Sequence, residues 1–206
     1  MDYAELKETI ADWLMRQDLN AVIPSWIKLA EARFNRELRT QQMVVRAQAT
    51  LEPGQQYVTV PGDWLEAWNI QVNGDTPRRL TYMTLEAADE LKRRGRQSSG
   101  EPRHFNVTGS QFEVIPVPQN ETDIELAYFA KIPALSNQNP TNWLLEQWPD
   151  AYLYGALAHS APYLKDDQRV ATWAAFYDRM VEEIRLSEER ARYSGSVLKV
   201  RTPQHF

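Results

Sequence analysis

The period of the hydrophobic pattern changes twice along this chain, and that change limits the available architectures more than any other feature. Up to Arg39 the apolar residues recur every three or four positions. Between residues 42 and 140 they alternate in short runs broken by PG, PGD and NGD, and beyond 140 the helical spacing returns. A spacing of three to four marks one face of an α-helix, and a period of two marks a strand with one buried face. The order is therefore helices, strands, helices.

The first part predicts a helical hairpin. Leu6, Ile10, Trp13 and Leu14 share a stripe over residues 3–16, with Glu5, Lys7, Glu8 and Asp12 around it. A linker with Asp18 and Asn20 follows. Pro24 then stands near the start of a second helix that keeps Ile27, Ala30, Phe34 and Leu38 in register. In the middle region several short antiparallel strands are expected, then a helix over TLEAADELKRRG that opens on Thr84 and stops at Gly95. Three more strands follow in PRHFNVTG, SQFEVIPV and TDIELAYFAK, the first two joined by a hairpin turn at Gly109-Ser110.

IPALSNQNPTN reads as a loop. A helix beginning near Pro149 is expected to reach about Leu164, with Pro162 kinking or ending it. Tyr152, Leu153, Ala156 and Leu157 would pack it, and the small residues Gly155, Ala156 and Ala158 leave room for a close neighbour. In the last helix Val170, Ala174, Tyr177, Val181 and Ile184 alternate spacings of four and three, the seam of a helix packed on others. Its mixed-sign face, EEIRLSEERAR, reads as solvated.

Helices from both ends most simply pack together. The expected fold is α+β: a helical bundle from residues 1–41 and 141–193, an inserted antiparallel β-rich region at 42–140 with one short helix, and an extended C-terminal tail at 194–206. With 43% hydrophobic residues the chain can bury a real core. No apolar run is long enough to span a bilayer, so no membrane partner is expected. The N-terminus, acidic and amphipathic, is unlike a secretory signal.

Chemistry is scarce. There is no cysteine, which excludes disulfides, thiolate catalysis and Cys-based metal sites. The histidines, His104, His159 and His205, do not stand at metal-ligand spacing. Ser160 follows His159 directly, and helix neighbours point in different directions, so the two cannot easily share a proton. No phosphate-cradling glycine loop or GxSxG elbow occurs. No catalytic, cofactor or metal residue is nominated. The seven tryptophans mostly sit on apolar stripes and read as core and subunit contacts, although a stacking platform is the other option.

Two stretches remain as candidate contacts. Lys92, Arg93, Arg94 and Arg96, with Arg103 nearby, form a basic loop that could meet DNA phosphates or an acidic partner, or simply be a solvated helix end. The tail, Ser196, Val197, Leu198, Lys199, Val200 and Arg201, is β-branched enough to add a strand to a partner's sheet edge.

Over nearly its whole length the chain resembles the head-to-tail adaptor proteins of tailed bacteriophages. The resemblance runs from DYAELKETIADWLMRQDL and IPSWIKLAEARFNRELR through LEPGQQYVTVPGDWLE and SSGEPRHFNVTGSQFEVIPVP. Its most specific part is PTNWLLEQWPDAYLYGALAHSAPYL. It implies a structural, non-enzymatic virion protein at the neck, assembled in the bacterial host cytoplasm. Copies would form a ring, typically twelve-fold, that binds the portal protein and a downstream tail or nozzle protein. Double-stranded DNA would pass through the lumen without sequence-specific binding, and the C-terminal tail would reach into the portal. No cofactor is implied. The rival readings are another neck or tail ring protein (stopper, tail terminator or nozzle-associated), a tail-associated cell-wall hydrolase, and a DNA-binding module working through the basic loop.

Overall fold

The computed structural model describes residues 1–74, 76–93, 95, 99–164 and 168–193. The chain divides into two compact units, one formed by Met1–Gln41 with the chain from Ile132 onward, the other by Gln42–Lys131.

The helical unit holds α1 (Tyr3–Leu14), α2 (Ile23–Glu37), α4 (Trp143–Gln147), α5 (Pro149–Ala158) and α6 (Arg169–Tyr193). A capping box starts α1. The Glu5 N–H donates to Asp2 Oδ1 at 2.8 Å and the Asp2 N–H to Glu5 Oε2 at 2.9 Å, which satisfies two donors the first turn leaves free. In α2, Pro24 lies at the start, where its missing N–H costs nothing.

At the centre is α5, packed against α1, α2, α4 and α6. It is apolar around its whole circumference, as a helix enclosed by others must be. Gly155 makes that enclosure feasible, because a Cβ there would lie 3.1 Å from both the Ala30 Cβ and the Tyr177 ring. Phe34 of α2 meets Tyr152 of α5 edge-on at 5.0 Å and Tyr177 of α6 at 5.5 Å.

Between Ile132 and α4 the chain is fastened by side chains of α2. Asn35 Oδ1 accepts the Ile132 N–H at 2.9 Å, and Glu31 Oε1 accepts the Leu135 N–H at 2.7 Å. Asn142 caps α4 through the Leu145 N–H and donates to the Pro133 carbonyl and the Tyr152 hydroxyl, both at 2.7 Å. Buried backbone donors outside regular elements need such partners.

The β unit is two four-stranded sheets packed face to face. One runs β1 (Val44–Leu51), β8 (Thr122–Ala130), β3 (Trp64–Val72), β4 (Arg78–Arg79); the other runs β2 (Tyr57–Thr59), β7 (Gln111–Ile115), β6 (His104–Thr108), β5 (Thr81–Tyr82). Alternate residues of both point into one core, including Ile70, Ile124 and Leu126 from the first sheet and Phe105, Phe112 and Val114 from the second. Gly109 occupies the first turn position between β6 and β7 at φ 62°, a conformation that suits glycine.

The α+β class is as expected, with four departures in detail. β5 and β6 pair in parallel, because α3 (Leu85–Arg93) connects them as a crossover. The helix from Pro149 ends at Ala158, short of Leu164, and a 3₁₀ turn follows at Ala161–Tyr163. Pro162 has no N–H to give to the Ala158 carbonyl, and the Ser160 hydroxyl already donates to the Leu157 carbonyl at 2.6 Å. The α6 seam buries Trp173 with Tyr177, Val181 and Ile184, whereas Val170 and Ala174 are only half-buried. Trp13 lies at the margin of the α1 stripe and is 44% exposed.

Candidate interaction surfaces

His159 and Asp150, the polar residues that bracket the aromatic helix α5, stand at its opposite ends. His159 caps the C-terminal end of α5, while Asp150 stands in the first turn and accepts the Ala151 N–H. They stand nine positions apart, roughly 13 Å of helical rise. Burial, with Arg33 and Arg36 adding to it, holds the imidazole pKa below its ordinary value, so the ring is neutral at neutral pH. Ser160 next to it is buried and donates to a backbone carbonyl. Among the described residues no three His, Asp or Glu side chains gather as metal ligands would, and no helix is long and apolar enough to cross a membrane.

The basic stretch separates into parts with different surroundings. Lys92 turns inward, its ammonium 2.5 Å from Glu113 and 3.3 Å from Asp89. Glu113 is 3% exposed and is also approached by Gln56 and by Asn106. Alternation explains the placement: Phe112 and Val114 face the core, so Glu113 faces the other side of its sheet. With Ala88 the one buried residue of α3, the Lys92–Glu113 contact is the main polar tie between this helix and the sheet. Arg93 pairs with Glu90 at 3.5 Å, and Arg103 is exposed at the start of β6. Arg94 and Arg96 lie outside the described residues, as do Ser196, Val197, Leu198, Lys199, Val200 and Arg201.

A surface that sequence reasoning passed over lies in the β unit. β4 pairs with β3 at Gln71 and Val72, and the Leu80 N–H donates to the Ile70 carbonyl at 2.7 Å. Among the described residues no strand lies beside β3 on that side from Trp64 to Asn69, where Arg79 reaches the Trp68 carbonyl at 3.4 Å. Beside this stretch runs a groove lined by Trp64, Trp68, Arg79, Tyr82, Phe105 and Val107. Pairing with β8 shifts register between Trp64 and Glu66 and again between Ala67 and Asn69. Trp68 stands in the second irregularity and is 44% exposed, edge-on to Phe129 at 5.2 Å. Bulges re-aim side chains at sheet edges. Alternation in the sequence assumes an unbroken register, so nothing in it signals this Trp68 orientation.

In the helical unit, α1 and α2 each bury one face and turn the opposite one to solvent. On α1 the exposed side carries Glu8 and Asp12. On α2 it carries Lys28, Leu29, Ala32 and Arg36.

The model of one protein family, described as SU10 adaptor protein, matches residues 1–201. No curated protein gives a match.

Proposed function

The chain belongs to the SU10 adaptor protein family, and from that premise we propose that it is a structural protein of a tailed-phage virion, a head-to-tail adaptor. Copies form a ring, twelve-fold as in the adaptors it resembles, that binds the portal above and a tail or nozzle protein below. The ring surrounds the channel through which double-stranded DNA passes. The reading rests on the extent of the match, which takes in both units and runs to Arg201.

The surroundings of the polar residues support it. His159 caps a helix, Ser160 bonds to backbone, Glu31 holds a returning segment and Glu113 ties down α3. These groups serve the architecture. Net charge is −5, so twelve copies carry about −60. A lumen of that sign repels phosphates and lets the duplex slide, and a ring whose acidic side chains mostly point away from the channel would refute this part.

Residues 196–201 are the portal-binding segment, adding a strand to a portal sheet edge. Of the basic stretch, Arg93, Arg94, Arg96 and Arg103 are a secondary contact for a partner or for DNA backbone, Lys92 being held by Glu113. Electron microscopy of the protein mixed with its portal tests the whole reading. A ring of copies seated on the portal is the expected image; a chain that neither forms a ring nor associates with the portal would overturn it.

A further inference from the structure

Two outward faces of the helical unit carry opposite charge, and among the described residues the charges at their centres make no ion pair, the Lys28 ammonium acting on buried Glu31 only through space. On α1, Leu6, Ile10 and Leu14 are buried, which leaves Glu8 and Asp12 on the exposed side at a spacing of four. Like charges at that spacing repel along a helix. The nearby cations are committed elsewhere: Lys7 lies 4.4 Å over the Tyr3 ring, Arg16 pairs with Asp18 at 2.6 Å, and the terminal ammonium lies 3.7 Å from Glu5. Among the described residues the Asp12 carboxylate receives one long hydrogen bond, from Gln17 at 3.5 Å.

On α2 the burial of Ile27, Ala30 and Phe34 turns Lys28, Leu29, Ala32 and Arg36 outward. The α2 carboxylates point elsewhere. Glu31 faces the segment returning from Ile132, and Glu37 is held by Arg33 and by the Tyr177 hydroxyl. Lys28 and Arg36 thus have no ion pair among the described residues. Leu29, 49% exposed, lies between them with Ala32, so the face is apolar as well as basic.

Both helices pack against α5, and each shows solvent the side away from its own buried stripe. One unit therefore presents an acidic face and a separate basic, apolar face. Identical subunits joined through two different surfaces associate head to tail, and such contacts close into rings when the rotation allows. We infer that the α2 face around Lys28, Leu29, Ala32 and Arg36 docks on the α1 face around Glu8 and Asp12 of a second copy of this chain. The contact sets subunit orientation through charge complementarity and buries Leu29 at its centre. It rests on the ring reading above and supplies its lateral interface.

Two full-length double variants test it. Lys28→Glu with Arg36→Glu makes both faces acidic, and Glu8→Lys with Asp12→Lys makes both basic. All four positions are exposed, and circular dichroism and thermal melting verify that each variant folds. Assembly is followed by sedimentation and by electron microscopy on the portal. Each variant alone is expected to assemble at least about tenfold more weakly than the natural chain, with the natural assembly itself weakening as salt rises. An equimolar mixture of the two is expected to recover assembly, because acidic and basic copies can then alternate.

Folded variants that each assemble like the natural chain would overturn the contact, as would a mixture that fails to recover. Intact rings from the Lys28→Glu, Arg36→Glu variant with loss of duplex-DNA retention would instead assign the α2 face to nucleic acid. A natural chain that forms no ring even on the portal removes the ring itself, and the contact falls with it. That outcome is distinguishable because it needs no variant.

Discussion

Each unit buries a glutamate, and the two are kept in different ways. Glu31 in the helical unit is 5% exposed and takes neutral donors, the Leu135 N–H and the Tyr152 hydroxyl. Burial pushes its carboxyl pKa up, and those hydrogen bonds, with a smaller effect of the Lys28 charge, only partly oppose the rise. Glu113 in the β unit is as deeply buried but has a cation, Lys92, together with two side-chain amides. The first carboxyl fastens a covalently continuous segment, where a neutral acceptor suffices. The second holds α3, which offers the sheet little apolar surface, so a charge does what packing does elsewhere. Buried polar groups thus mark the places in each unit where hydrophobic contact alone does not specify position.

Three substitutions and one truncation probe the two units, from the largest expected effect to the smallest, with Glu31→Gln as a companion to the second. Gly155→Val drives a side chain into Ala30 and Tyr177, where even a Cβ lies at 3.1 Å. It is expected to cost about 3 kcal/mol in chemical denaturation followed by far-ultraviolet circular dichroism. Next, Glu31→Ala leaves the buried Leu135 N–H without its acceptor and is expected to cost about 2 kcal/mol. Glu31→Gln keeps an acceptor and removes the charge, so it should hold the natural stability or exceed it near neutral pH.

The pH dependence gives the sign. With its pKa raised on folding, Glu31 holds its proton to higher pH in the folded state. From the unfolded value up to the folded one, the folded state binds more protons, and stability falls as pH rises. Glu31→Gln should flatten that slope, and an unchanged slope would mean that burial does not govern this carboxyl. Third, Lys92→Met removes the cation from Glu113. Partial exposure of Lys92 moderates the loss to about 1–2 kcal/mol. Faster amide exchange confined to α3 is the specific sign, and uniform loss across the β unit would argue against a local tie. Smallest, a chain ending at Arg192 should change stability by less than about 0.5 kcal/mol, yet lose co-assembly with the portal. Undiminished co-assembly would refute the assignment to residues 196–201.

Much of the fold was legible because the buried stripes are local. Ile27, Ala30 and Phe34 repeat at helical spacing, and Phe112 and Val114 alternate, so their buried faces follow from the backbone period alone. The α5 stop was misplaced because the sequence shows where a proline is but not how far its missing N–H reaches back. The parallel β5–β6 pair was missed because alternation carries no strand direction. Of the candidate contacts, the basic stretch could be located, but the partner of Lys92 lies 21 residues on, at Glu113. No local pattern links them.

The sequence by itself determined which faces are apolar, where the helices give way to strands, and that this chain has the family's pattern over residues 1–201. Tertiary structure alone decided which charges remain for a partner. Lys92 and Arg33 are tied inside their units, whereas Lys28 and Arg36 are exposed and make no ion pair among the described residues. The physical reason is range. Backbone period fixes a side chain's direction within a turn or a strand, but whether a charge is already neutralised depends on residues brought near from far along the chain.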